Sequence, residues 1–234
     1  MAILYMIPNT LGVTPVGGVI PVEVQEIIKS IKVFIVEDIR TTRRFLKRVD
    51  KAIDIDTLTF YVLNKRTKTR EIEEMIKPLA KGQNVGVISE AGCPGVADPG
   101  ASVVQLAHRK GYRVAPLVGP SSILLAMMAS GMNGQSFAFN GYLPMKKPDR
   151  IKKIQHLEKR SSQENQSQVF IETPFRNDTM LEDILAVCSA NTQVCVACDI
   201  TLETEYIKTA TVAEWKKNKP SFHKRPAIFI IHKF

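Results

Sequence analysis

The chain has 234 residues, 44% hydrophobic and 24% charged, the balance of a globular protein long enough for one large domain or two small ones. Lys and Arg number 32 against 23 Asp and Glu, a formal charge of +9 that fits an anionic partner. A signal peptide and a membrane helix are both disfavoured. The first charged residue is Glu23, but no basic segment precedes it and Pro8, Gly12, Pro15, Gly17 and Gly18 break the apolar run; the uncharged stretch between Arg113 and Lys146 is broken by Gly119, Pro120, Gly131, Asn133 and Gly134. The expectation is a cytoplasmic protein with no membrane partner.

In chain order, Ile3 to Ile7 reads as a strand, followed by a loop, Pro8-Asn9-Thr10-Leu11-Gly12. A helix follows from about Pro21, with Ile20, Val24, Ile27, Ile28 and Ile31 at helical spacing. Strand Val33 to Val36 runs into Glu37-Asp38 and a helix carrying Phe45, Leu46 and Val49. Thr57 to Leu63 reads as a strand, and Thr69 as the cap of a helix through Ile72, Met75, Ile76 and Leu79 that stops at Gly82.

Strand Val85 to Ser89 leads into Ser-Glu-Ala-Gly-Cys-Pro-Gly-Val-Ala-Asp-Pro-Gly, residues 89 to 100. Three glycines and two prolines there expose backbone N–H and C=O groups where α/β proteins hold ligands, although one such loop alone is equally a tight connection. Helix Ala101 to Lys110, strand Arg113 to Leu117 and a second loop, Gly119-Pro120-Ser121-Ser122, follow; Ser121 or Ser122 is expected to cap the helix ending at Ser130. The alternation implies a mostly parallel sheet with covering helices and one crevice shared by the strand-to-loop junctions.

After Gly131 the pattern shifts towards sheet. Phe137 to Tyr142, Gln168 to Glu172, Val194 to Asp199, Tyr206 to Thr211 and Ala227 to His232 read as strands with three helical segments between them. The fold expected is therefore α/β in two domains, 1–132 with a mostly parallel sheet and 133–234 with a mixed sheet. Ser161 to Ser167 is polar enough to read as a mobile loop.

Cys195 and Cys198 have the spacing of a metal pair, but on a strand they point to opposite faces, and Cys93 and Cys188 stand alone, so no metal site is expected. The positive charge is clustered: Arg40 to Lys51 holds six bases and one acid, Lys65 to Arg70 four and none, Lys146 to Arg160 seven and two. Each cluster alone reads as a solvated helix face; together they fit a polyanion, with RNA and a carboxylate-rich tetrapyrrole both eligible.

Five segments resemble the tetrapyrrole methylase fold of S-adenosylmethionine-dependent methyltransferases, in order and over nearly the whole chain: Val36 to Arg43, Ser89 to Gly100, Gly119 to Ser122, Phe139 to Pro144 and Ile171 to Arg176. Within that family they are most similar to the branch that methylates a cytidine ribose of small-subunit ribosomal RNA. The resemblance implies a homodimer and a donor, S-adenosylmethionine, folded up between the two domains. Its carried-over contacts are Pro8, Ala91, Gly92, Cys93, Val96, Ser121 and Ser122 in the first domain, and Glu172, Thr173, Ile200, Thr201, Pro226 and Ala227 in the second.

The chain departs from the family's wording in places. Glu90 stands where Asp is usual, Cys93 where Thr is usual, and Asn64-Lys65-Arg66-Thr67-Lys68 where the ribosomal branch carries histidine and acidic residues. Glu37, Asp38 and Glu90 are the candidate proton acceptors for a hydroxyl acceptor, with Arg40, Thr41, Arg43 and Lys65 as substrate contacts. Asp38 reads equally well as a helix cap. Three functions are compatible with these residues: an RNA ribose methyltransferase, a tetrapyrrole carbon methyltransferase needing less base assistance, and a non-catalytic S-adenosylmethionine- or RNA-binding protein.

Overall fold

The computed structural model describes residues 2–234. The chain forms two compact units, the first ending at Ser121 and the second spanning Ser122–Phe234.

The first unit is a five-stranded parallel sheet: β1 (Ile3–Ile7), β2 (Val33–Val36), β3 (Thr59–Val62), β4 (Val85–Ile88) and β5 (Arg113–Pro116), in the order β3-β2-β4-β1-β5. The strand period of two sorts its side chains onto two faces. Leu4, Met6, Val33, Ile35, Val85 and Val87 pack under α3 (Thr69–Ala80) and α4 (Ala101–Arg109). Ile7, Phe34, Val36 and Ile88 pack under α1 (Val22–Ser30) and α2 (Ile39–Val49). Gly86 belongs to this second face because a Cβ there would lie 2.5 Å from Ile7 Cδ1, so the strand has no room for a side chain.

Most expected elements are present, with local differences at their ends. The run from Thr57 begins as a 3-10 turn, Ile55–Thr57, before β3. Thr69 is the first residue of α3 rather than its cap: Glu71 Oε2 instead accepts the Lys68 N–H at 2.7 Å, reaching back from the first turn.

The second unit begins with α5 (Ser122–Ser130), which packs against three of its strands; Thr209 Oγ1 donates to Ser130 O at 2.7 Å. Its mixed sheet contains β6 (Phe137–Tyr142), β7 (Ser167–Ile171), β8 (Gln193–Cys198), β9 (Tyr206–Thr211) and β10 (Ala227–His232), in the order β6-β7-β10-β8-β9. Only β6 and β7 run parallel. Helices α6 (Lys147–Glu164), α7 (Asn177–Val187) and α8 (Val212–Lys217) close a core around Phe170, Trp215, Phe222 and Phe229. Trp215 satisfies its indole by donating to Val194 O at 2.9 Å.

Ser161 to Ser167 is not a loop. Helix α6 continues to Glu164 and ends on Asn165 in the left-handed conformation, and Ser167 already belongs to β7. Ile154, Leu157, Glu158 and Ser161 form one buried stripe at helical spacing, and their polar members have distant partners. Ser161 Oγ accepts the Lys233 N–H at 3.0 Å, while Glu158 accepts from Ser189 N at 2.7 Å and from the Thr192 hydroxyl.

Candidate functional site

Because every strand of the first sheet is parallel, its carboxyl ends and the loops leaving them share one edge. Neighbouring strands β1 and β4 send out loops that stay paired: Asn9 N–H donates to Gly92 O at 2.9 Å and Gly92 N–H to Asn9 O at 3.1 Å. The Asn9 side chain, 1% exposed, completes the joint. Its Nδ2 donates to Ser89 O at 3.2 Å and Glu90 O at 2.9 Å, and its Oδ1 accepts Thr10 N–H at 2.8 Å.

The loop after β5 closes on the same joint. Cys93 Sγ donates to Pro120 O at 3.5 Å, and a Cβ on Gly119 would overlap the ring carbons of Pro8. Gly92 is constrained by its backbone, at φ 66° in the left-handed region, and a Cβ there would also press on Leu11 Cδ2 at 3.3 Å. Three chain segments distant in sequence thus present backbone groups side by side. Pro8, Ala91, Gly92, Cys93 and Ser121 lie on these segments; Val96 is half-exposed further round the loop, and Ser122 opens α5.

Beside this joint, at the end of β2, stands Glu37. Burial pushes its carboxyl up from the ordinary range, the negative charges of Asp98 and Glu90 push it further, and the Glu90 N–H and Lys65 pull it back. Asp98 is raised by burial and by Glu90, against a hydrogen bond from Ser89. Glu37 therefore lies in the field of Asp98, Glu90 and Lys65, and Asp98 in that of Glu90. The sequence does not single out Asp98; its position in the Gly- and Pro-rich loop reads as turn chemistry, and only the folded loop sets it beside Glu37.

Asp38 does something different. It is the N-cap of α2, accepting Thr41 N–H at 2.6 Å, and that bond, with a second contact to the Thr41 side chain, holds its carboxyl below the usual range. Arg40 and Thr41 occupy the first turn of α2, and Arg43 stacks its guanidinium over the Phe60 ring of β3 at 5.5 Å.

In the second unit the candidates gather at one end of the mixed sheet. Strands β7 and β8 both run antiparallel to β10, so the ends of β7 and β8 meet the start of β10. Asp199 N–H donates to Pro226 O at 2.9 Å, Lys224 N–H to Pro174 O at 2.9 Å, and Arg225 Nε to Asp199 Oδ2 at 2.7 Å. Glu172, 5% exposed, is occupied by the turn after β7: its Oε1 accepts Thr173 N–H at 2.6 Å and Arg176 Nη2 at 2.5 Å. Thr201 is left-handed at φ 72°, as Asp199 is at 50°, but differs in that its Oγ1 is buried with no hydrogen-bond partner. Ile200 is buried beside it, and Ala227 pairs with Cys198 in the sheet.

Cys198 joins the aromatic core on one face of β8, and Cys195 is buried on the other. Both thiols are pushed up by burial, Cys198 to about 11. The base-rich α6 is partly neutralised: Arg150 is buried against Asp183, Nη2 to Oδ2 2.5 Å, and Arg160 pairs with Glu164 at 3.0 Å. No helix among the described residues is long and apolar enough to cross a membrane.

The family model described as Tetrapyrrole (Corrin/Porphyrin) Methylases matches residues 14–216. A protein of Vibrio cholerae serotype O1 named Ribosomal RNA small subunit methyltransferase I is 30% identical over 98% of this chain and 77% of its own length. One of the same name from Thermotoga maritima is 31% identical over 88% of this chain and 91% of its own. Among solved structures, the methyltransferase CobJ superposes with a TM-score of 0.64 at 15% identity, covering 99% of this chain and 93% of that one. Cobalt precorrin-4 methyltransferase CbiF gives 0.61 at 14% identity, covering 98% and 94%; at such identities the likeness concerns the fold alone.

Proposed function

The chain belongs to the tetrapyrrole (corrin/porphyrin) methylase family, and we propose from that premise that it transfers a methyl group from S-adenosylmethionine to a ribose 2′-hydroxyl of ribosomal RNA. The observation that carries this reading is Glu37: a half-buried carboxylate with raised proton affinity, set at the same sheet edge as the Gly- and Pro-rich loops and within the field of Lys65, just before the base-rich start of α2. A ring-carbon acceptor of a tetrapyrrole needs less help of that kind. A hydroxyl acceptor must lose a proton, and a general base with affinity above the ordinary carboxylate range suits the task.

The residues fit such a donor. In the first unit, Pro8, Ala91, Gly92 and Cys93 lie on segments whose peptide groups are fixed at or next to the Asn9 joint, with Val96 further along the same loop and Ser121 after β5; Ser122 opens the second unit. In the second, the orphaned Thr201 hydroxyl is a buried polar atom in want of a partner, as expected of a residue that contacts a polar ligand. Glu172, Thr173, Ile200, Pro226 and Ala227, at the same end of the mixed sheet, are the further donor-contact candidates. When bound, S-adenosylmethionine supplies an electrophilic methyl carbon on a sulfonium centre.

The chain's own part is alignment and proton removal. Glu37 takes the hydroxyl proton at a side-chain oxygen, and the Glu90 N–H fixes its orientation. Glu90 and Asp98 keep its affinity for that proton high. Arg40, Arg43, Thr41 and Lys65 hold the flanking phosphates, and Asp38 contributes by starting α2 at the residue that aims Arg40.

The test is the position of the label after transfer of tritiated methyl to RNA. A ribose 2′-O-methyl group blocks alkaline cleavage of the adjoining phosphodiester, so label should survive in alkali-resistant dinucleotides. Label recovered in mononucleotides marks base methylation and would remove the need for Glu37 as described.

A further inference from the structure

Resting on the RNA reading above, we infer that the side of the first unit formed by α2 and the β3–α3 turn is an RNA-docking strip that extends past the candidate site and grips the phosphate backbone through Arg43, Arg44, Lys47, Arg66 and Arg70. The first support is charge left uncompensated. Among the described residues, the ion-paired bases are Lys29, Lys77, Lys147, Arg150, Arg160, Arg176, Lys219, Arg225 and Lys233, all outside residues 40–70. Arg44, Lys47, Arg66 and Arg70 are exposed and in no ion pair. A solvated helix face built for solubility mixes signs, as α6 does with Arg160 and Glu164; α2 carries no acid from Ile39 to Val49, Asp50 at its end pairs with Lys29, and Glu71 beside Arg70 is turned to the Lys68 N–H.

The second support is placement. On α2, Arg40, Arg44 and Lys47 follow one face at helical spacing while Thr42, Phe45 and Leu46 face the core. Arg43 on Phe60 ties that helix to β3, the edge strand. The turn after β3 is held rigid: Thr67 N–H donates to Asn64 O at 3.1 Å, Asn64 N–H to Thr67 Oγ1 at 2.9 Å, and Arg66 N–H to Asn64 Oδ1 at 2.8 Å. Lys65 and Arg66 are its two central residues. The exposed bases thus lie along α2, which starts two residues after Glu37, and at the turn and helix start that follow β3, with hydrogen-bonded backbone beneath the turn. A group of exposed cations outside any ion pair, with Asp50 acting on Lys47 alone among them, is complementary to a polyphosphate chain.

The experiment uses the full chain and a fluorescein-labelled transcript of small-subunit ribosomal RNA, with affinity measured across a salt series. The triple variant Arg44→Gln, Lys47→Gln, Arg66→Gln is compared with a control that removes the same charge elsewhere, Lys152→Gln, Lys159→Gln, Lys216→Gln. Each phosphate contact contributes about 0.7 (single strand) to 0.9 (duplex) to the slope of log K against log salt, so the strip variant should lose about 2 to 3 from that slope and roughly two orders of magnitude in affinity at about 0.1 M salt. The control should keep the wild-type slope, and all three proteins should bind S-adenosylhomocysteine alike. Equal losses in both variants would mean diffuse net charge, and no loss in the strip variant would mean an idle surface; either overturns the strip while leaving RNA methylation by the wild type intact. Wild-type protein that binds anionic lipid vesicles and not RNA would overturn the strip together with the reading it rests on, which the methyl-transfer assay reports separately.

Discussion

Replacing Asn9 with alanine should weaken both the fold of the first unit and the site on it, and the size of the effect follows from three hydrogen bonds. The side chain is 1% exposed; it donates to Ser89 O and Glu90 O and accepts from Thr10 N–H. Alanine keeps the paired backbone groups of Asn9 and Gly92 but orphans the Thr10 N–H and the Ser89 carbonyl, both in buried residues, while the Glu90 carbonyl belongs to an exposed residue and can turn to water. A buried unsatisfied group costs about 1–3 kcal/mol, so the variant should lose about 3 kcal/mol. For a chain of this length that corresponds to a melting temperature lower by roughly 6–12 °C. Calorimetry reads the stability, and titration with S-adenosylhomocysteine reads the site. Loss of about 1.4 kcal/mol of loop orientation appears there as a tenfold weaker dissociation constant. Asn9→Asp should be worse than alanine at neutral pH, since a carboxylate would face two carbonyl oxygens, and should recover as acid protonates it. A variant with unchanged melting and unchanged affinity would refute the role given to this joint.

Glu37→Gln should lower methyl transfer by about 10²–10⁴-fold, the usual contribution of a general base. The acid limb of the wild-type pH profile should lie above the ordinary carboxylate range, and Asp98→Asn should move it to lower pH by removing a repelling charge, a shift read from kcat/KM against pH. Because the folded-state proton affinity of Glu37 is raised, ionising it costs stability above that value and costs nothing below the unfolded one; Glu37→Gln should therefore raise the melting temperature at neutral pH and leave it unchanged in acid. Asp183→Ala should destabilise the second unit by about 3–5 kcal/mol in denaturant unfolding, since Arg150 would stay buried without its partner. Iodoacetamide at neutral pH should label Cys93 ahead of Cys188, Cys195 and Cys198, because Cys93 alone is half-buried while burial pushes Cys188 to about 12 and Cys198 to about 11; peptide mapping checks the order.

The alternation of strands and helices is readable from sequence because the two periods are local. Leu4, Met6, Val33, Ile35, Val85 and Val87 declare one face of the first sheet by spacing alone. Sequence reasoning goes astray where a residue's partner lies far along the chain. Ser161 looks like a solvent-facing polar residue until Lys233 arrives to bond it, so the last turn of α6, from Ser161, resembles a loop. Thr69 is a plausible cap, but Glu71 meets the preceding N–H itself.

At the candidate site the same distinction holds. The Gly- and Pro-rich loop after β4 announces exposed backbone, and Asp38 before a helix announces a possible cap. Asn9 and Asp98 carry no such signal. The first matters through Ser89 and Glu90, eighty residues away and more, and the second through its charge on Glu37, from the loop after a strand that is next but one in the chain and adjacent in the sheet.

The most direct measurement is transfer of tritiated methyl from S-adenosylmethionine to small ribosomal subunits from a strain lacking this protein, with naked ribosomal RNA alongside and the Glu37→Gln variant in parallel. Label should appear in the RNA with the wild type, and the variant should transfer at least about a hundredfold more slowly, from the usual general-base contribution of about 10²–10⁴. Donor binding without any labelled RNA would contradict that expectation and direct attention to a small-molecule acceptor.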